Sequence, residues 1–181
     1  MRHSCARPLA FAFVFSLFIA QTAATAQTGR RAAGGNSSAP TLSAAPEIAF
    51  TVSMPEPHTH LLQVEMRLRH TGSAAREVDL VMPVWTPGSY LVREYARHVQ
   101  DFAATDAGGR ALSWRKVNKN TWRVQTNDAR EWRAIYRVYA NELTVRTNEL
   151  NDRHAFWNNA ALLMHVNGHI PAPSTVRVVP G

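Results

Sequence analysis

The chain has 181 residues, with 20 Lys and Arg against 13 Asp and Glu, 45% hydrophobic residues and one cysteine. That length fits one domain with at most an appendage, the apolar content excludes wholesale disorder, and the lone cysteine excludes a disulfide-stapled miniprotein. The net charge of +7 resembles a nucleic-acid signal until it is located: Arg2, Arg7, Arg30 and Arg31 all precede Glu47, in a stretch without one acid.

In chain order, residues 1–26 read as an export signal. Arg2 and Arg7 supply a positive start, Pro8 to Ala20 is almost wholly apolar, and Ala24-Thr25-Ala26 predicts cleavage before Gln27. The apolar run of about 12 residues would rise only about 18 Å as a helix, short of a hydrocarbon core of roughly 30 Å, so a membrane anchor is the poorer reading. The mature protein is expected to be periplasmic or secreted, with no membrane association after cleavage. Cys5 would leave with the signal, which excludes cysteine catalysis and cysteine-ligated zinc. Residues 27–46 are rich in Gly, Ala, Ser and Pro and lack aromatics. Such a segment buries too little surface to offset the entropy of ordering it, and reads as a flexible leader.

From Glu47 to Gly181 the texture becomes short runs of period two. Ile48, Phe50 and Val52 mark a first strand, ended by Pro55 and Pro57. Between His60 and His70, Leu62, Val64, Met66 and Leu68 alternate with polar residues, the pattern of a half-buried antiparallel strand. Val78, Leu80 and Met82 mark a third. Val99–Thr105 and Ala111–Val117 flank an Ala107-Gly108-Gly109 turn at hairpin spacing. Thr121–Gln125 follows, then Glu131–Ala140 with Trp132, Ala134, Tyr136 and Val138 on one face, and finally Ala161–Val166 and Thr175–Val179. About nine closely spaced strands without a convincing amphipathic helix predict an all-β fold, an antiparallel β-sandwich.

One stretch does not read as scaffold. Met82–Tyr95 holds two prolines, a glycine and three large aromatics, and Trp85, Tyr90 and Tyr95 need somewhere to bury their rings. The plain account is a proline-stiffened crossover whose aromatics cap the sandwich edge. Arg93 and Glu94 are neighbours and are expected to find separate partners.

The run Pro83-Val84-Trp85-Thr86-Pro87-Gly88-Ser89-Tyr90-Leu91-Val92-Arg93-Glu94-Tyr95 resembles the N-terminal domain of the glycyl aminopeptidase family of zinc metallopeptidases. Three more motifs match in the same order: Asn120–Val124, Tyr139–Asn148 and Asp152–Ala160. The resemblance covers about residues 47 to 181. It implies a β-rich domain that precedes a thermolysin-like catalytic domain, and usually a PDZ domain, with zinc held by a His-Glu-x-x-His helix and a distant glutamate. None of the eight histidines here is followed by glutamate. Zinc is therefore expected only in a catalytic domain missing from this chain, which is read as a fragment or a separately encoded domain with no catalytic residue, metal ligand or cofactor of its own.

What the resemblance implies for this chain is a non-catalytic domain that packs on a metallopeptidase catalytic domain, in cis or separately encoded, and helps wall its substrate cleft. Candidate cleft or interdomain residues are Trp85, Tyr90, Arg93, Glu94, Glu142 and Arg146. Arg93 suits a carboxylate because its fork of donors matches a planar anion. Glu94 or Glu142 would suit a peptide's free amino group. The competing reading is a stand-alone exported binding module for peptide or carbohydrate, with Trp85, Trp114, Trp122, Trp132 and Trp157 as a stacking platform. Trp114, Trp122 and Trp132 are better explained as core. A metal site of His58, His60, His154, His165 and His169 is the poorer reading: His165 and His169 have finger-like spacing, but Asn167-Gly168 between them reads as a turn and no cysteine completes the set. A triad on Ser89 lacks the glycine of a nucleophile elbow. Nucleic acid is excluded as a partner by the scattered arginines and the export signal.

Overall fold

The structure, a computed structural model, describes residues 45–170 and 172–181. The predicted export signal, and the predicted leader up to residue 44, lie outside the described residues.

Eleven strands are found among the described residues: β1 Glu47–Ser53, β2 Leu61–Arg69, β3 Glu77–Val81, β4 Val99–Asp106, β5 Trp114–Asn118, β6 Thr121–Gln125, β7 Glu131–Tyr139, β8 Glu149–Leu150, β9 Ala155–Phe156, β10 His165–Val166 and β11 Ser174–Val179. They form a five-stranded sheet in the order β11-β1-β2-β7-β4, a four-stranded sheet in the order β10-β3-β6-β5, and the small pair β8-β9. Pairing is antiparallel except between β1 and β11.

Period two decides the register. Leu62, Val64, Met66 and Leu68 of β2 are fully buried, opposite Val138, Tyr136, Ala134 and Trp132 of β7. Each such side chain contributes roughly 1.5–3 kcal/mol on burial, and a slip of one residue would turn all of them outward. The two large sheets close on each other around Phe102 of β4. Its ring lies 4.9 Å from that of Trp114 on β5, 5.7 Å from Trp122 on β6 and 6.4 Å from Tyr136 on β7, the last two stacked.

The antiparallel sandwich is as predicted, and several details differ. The predicted strand over 161–166 starts instead as one turn of helix, α1 Asn159–Leu162, because the Asn158 side chain accepts from the Ala160 amide and caps it. Only His165–Val166 pairs, with β3. The strands β8, β9 and β10 are two residues each, too short for any periodicity to show. The glycine turn is present, with Gly109 at φ 83° and its amide on the Asp106 carbonyl, yet the flanking strands do not form a hairpin. After one bridge, Thr105 to Ala111, the chain changes sheets, so that β4 pairs with β7 and β5 with β6. The nine alternating residues of β7 offer β4 a longer apolar partner than Ala111–Val117, where Arg115 and Lys116 interrupt the pattern. Trp122 and Trp132 are core as predicted, but Trp114, on an edge strand, stays partly exposed.

Outer faces carry cross-strand ion pairs. Arg69 bonds Glu47 between β2 and β1 at 2.9 and 2.7 Å, and Arg123 forks onto both oxygens of Asp79 between β6 and β3 at 2.7 and 2.8 Å. The hydrogen bond from Arg123 holds the Asp79 carboxyl below the usual carboxylate range.

Three part-buried imidazoles give a testable pH dependence. Burial pushes His70, His98 and His165 below the ordinary 6.5, with His169 adding repulsion at His70 and Arg97 at His98. A base with a depressed folded-state pKa takes its proton more readily when unfolded. Stability is therefore fully present above the unfolded value of 6.5 and falls as pH drops from there through the lower folded values. The urea midpoint is expected to decline from about pH 7.5 to about pH 5.5, and His70→Gln to make the decline shallower. A flat profile across that interval would contradict the burial of these rings.

Candidate functional site

The aromatic loop after β3 is fixed at both ends. Met82 is buried and exchanges hydrogen bonds with Asn120, and Tyr95 is buried at the start of a 3₁₀ turn, Tyr95–His98. Between these anchors Thr86-Pro87-Gly88-Ser89 forms a tight turn closed by the Ser89 amide on the Thr86 carbonyl at 3.1 Å. Proline presets the second position, and Gly88 takes the third at φ 84°, a left-handed conformation that glycine adopts without steric cost. The Trp85 indole donates to the Ser89 carbonyl at 2.6 Å, and the Arg93 amide returns to the Val84 carbonyl at 2.6 Å, so the loop closes on itself.

Sequence reasoning expected all three rings to be buried. Only Tyr95 is; Trp85 is 51% and Tyr90 103% exposed. The loop's own hydrogen bonds, rather than a buried socket, fix its shape, which leaves those rings facing outward.

A second segment, residues 141–148 after β7, meets it. Asn148 is a buried polar peg: its amide donates to the Ala161 carbonyl at 3.0 Å while its oxygen accepts from the Asn158 amide at 3.1 Å. Asn158 in turn donates to the Val145 carbonyl at 3.2 Å. The segment is further pinned by Thr147, whose hydroxyl donates to the Glu142 carbonyl at 2.5 Å.

Between the two segments lies an open cleft of about 600 Å³, with Tyr90, Leu91 and Arg93 on one side and Val145, Arg146 and Asn158 on the other. Three of the six predicted residues, Tyr90, Arg93 and Arg146, thus come together although more than 50 residues separate Arg93 from Arg146. Trp85 is outside this lining, its half-exposed indole bonded to the Ser89 carbonyl of its own loop. Arg93 and Glu94 part company, as their adjacency suggested: Glu94 turns to Lys119 at 2.7 Å, and that hydrogen bond holds its carboxyl below the usual range. Glu142 belongs to a separate, smaller cavity of about 120 Å³ beside Tyr95, His98 and Tyr139. Asn148 and Asn158 were not singled out from sequence, though both lie within the matching motifs; flanked by Thr147 and Glu149, and by Trp157 and Asn159, they carried no local sign of burial.

Among the described residues no carboxylate lines the larger cleft. Among the described residues, neither Arg93 nor Arg146 has a side-chain ion pair or hydrogen bond, and the Arg93 Nε is buried without a partner. Most arginines on the sheet faces are paired.

Among the described residues His70 and His169 share a cavity, while His60 and His154 are engaged elsewhere. His60 Nδ1 lies 2.5 Å from the Leu150 carbonyl, and His154 lies 3.5 Å from Glu149. Among the described residues no group of three or more His, Cys, Asp or Glu side chains is placed to hold a metal ion. Ser89 Oγ is engaged with Leu91 in its own loop.

The model of a protein family described as the Peptidase M61 N-terminal domain matches residues 49–180. Among solved structures, the chain is similar to an aminopeptidase N family protein from Idiomarina loihiensis, at 28% identity and a TM-score of 0.68, over 74% of this chain and 22% of that one. An M1 zinc metallopeptidase from Deinococcus radiodurans matches at 16% identity over 75% of this chain and 32% of that one, with a TM-score of 0.44, too loose to bear on function. This chain therefore spans about a fifth of the length of the Idiomarina protein. No curated protein matches the chain.

Proposed function

The chain belongs to the Peptidase M61 N-terminal domain family, and from that premise we propose that it is a non-catalytic domain of an exported metallopeptidase that docks on the catalytic domain and helps wall its substrate cleft. The observation that supports this reading is the outward apolar surface of the two converging segments. Leu91 is 59% and Val145 76% exposed across one cleft, with Val92 and Leu143 exposed beside them. A monomeric surface rarely gathers large apolar side chains on rigid, hydrogen-bonded loops unless another surface covers them. Zinc and peptide hydrolysis belong, on this reading, to residues outside this chain. Tyr90, Arg93 and Arg146 then face the junction, Trp85 is exposed on the same loop, and Glu142 sits at the smaller cavity.

Purified protein is expected to bind no stoichiometric zinc and to leave glycyl and alanyl chromogenic amides intact. A metallopeptidase catalytic domain from the same organism, added in trans, is expected to co-elute with it. The Leu91→Asp, Val145→Asp double variant should lose co-elution while keeping its β-type circular-dichroism spectrum. Turnover by the chain alone, or an unchanged complex with the double variant, would refute the assignment.

A further inference from the structure

We propose that the cleft between residues 86–93 and residues 145–158 is a carboxylate-binding subsite, in which the guanidinium groups of Arg93 and Arg146 receive the carboxylate of a peptide. That a peptide supplies the carboxylate rests on the proposed peptidase reading; the carboxylate chemistry rests on the cleft alone.

Two cations line one concavity of about 600 Å³ that has no acid among the described residues. Like charges brought to a shared cleft repel, and the chain has not neutralised them with a neighbouring Asp or Glu as it has for Arg69, Arg123 and Arg137 on its sheet faces. The Arg93 Nε is buried with no partner among the described residues, a donor whose desolvation is left uncompensated. An anion entering the cleft would supply acceptors to the guanidinium groups of both residues, which have none among the described residues, although the buried Arg93 Nε itself lies out of its direct reach. A carboxylate suits them because guanidinium presents parallel N–H donors matching two planar oxygens. Pro87 and the Tyr90 ring stand in the same lining and offer apolar surface for the uncharged part of a short peptide. Geometry supports the same view. Arg93 is fixed through its backbone bond to Val84, and the Arg146 segment through Val145 and Asn158, so both cations are held on braced loops before a ligand arrives.

The test is an NMR titration of the 15N-labelled full-length chain, following arginine Nε–Hε resonances, with triglycine, triglycine amide and acetate as probes. Triglycine is expected to shift the Arg93 and Arg146 signals saturably, with at least about tenfold weaker effects from the amide and from acetate. Arg93→Gln and Arg146→Gln should each weaken triglycine binding about tenfold while the remaining amide spectrum shows the fold intact. Equal binding of triglycine and its amide, or no shift at either arginine, overturns the subsite. Acetate binding as tightly as triglycine overturns the peptide as the source and points to an Asp or Glu of the neighbouring domain instead. The Arg→Gln variants still co-elute with a catalytic domain if docking holds and only the subsite fails, which separates the two failures.

Discussion

Replacing Tyr136 with phenylalanine is expected to cost about 1–3 kcal/mol, although the ring itself is preserved. Tyr136 is fully buried in β7, and its hydroxyl donates to the Leu162 carbonyl at 3.0 Å while accepting from the Met164 amide at 3.1 Å. Burial pushes the phenol well above its ordinary value of 10, so the proton that Leu162 requires is retained at any working pH. Removing the oxygen strands a buried carbonyl and a buried amide at once. Tyr136→Ala should cost more, about 3–5 kcal/mol, since it also opens a cavity beside Phe102. Urea unfolding measures both losses. Hydrogen exchange at the Met164 amide separates them, because the phenylalanine variant should release that amide locally before the sheet gives way. An unchanged midpoint for Tyr136→Phe would mean that the hydroxyl does not tie the segment after α1 to β7.

Asn148→Ala is expected to lower stability by about 1–3 kcal/mol and to loosen one wall of the cleft. The side chain is buried and serves two backbone groups, the Ala161 carbonyl and the Asn158 amide. Asn158 also caps α1 and holds Val145, so its loss of support should reach the Arg146 side of the cleft. Asn148→Asp should be worse than alanine at neutral pH: it keeps the acceptor for Asn158, but sets a buried carboxylate oxygen against the Ala161 carbonyl. The comparison is made by urea midpoint, with amide exchange at Asn158 and Ala160 reporting the loosening. If alanine and aspartate variants both match the parent protein, Asn148 is not the peg that the geometry indicates.

How much of this was visible beforehand depended on side-chain repetition. Strands of five residues or more that alternate, such as β2 and β7, announced themselves because each inward residue repeats the signal. The pairs Glu149–Leu150 and Ala155–Phe156 did not, since two residues carry no period; their pairing comes from backbone hydrogen bonds that the residue types do not encode. The crossing between sheets after Asp106 was hidden for a related reason. Ala107-Gly108-Gly109 specifies a turn, but whether the strands on either side pair is decided by which partner buries more, here β7 for one and β6 for the other. In the candidate site, Arg93 and Arg146 were legible as chemistry, while their meeting was not. That meeting depends on Asn148 and Asn158, polar residues buried by tertiary contacts, and no local pattern foretells such burial. Glu142 was placed with them by motif and is set apart by the fold, one turn of chain sufficing to send it to the neighbouring cavity.

Among the described residues the strand β11 is joined to the sandwich along one side, parallel to β1, and its Val176 and Val178 sit on the same face as buried Phe50 and Val52 yet remain 44% and 46% exposed. It is thus fastened by main-chain bonds with little apolar glue, the arrangement of a seam that unzips before the garment tears. Local opening there would bare the flank of β1, whose Ile48, Phe50 and Val52 lie just behind. Whatever surface comes to rest over those two valines would therefore act as a latch for the whole outer margin of the five-stranded sheet.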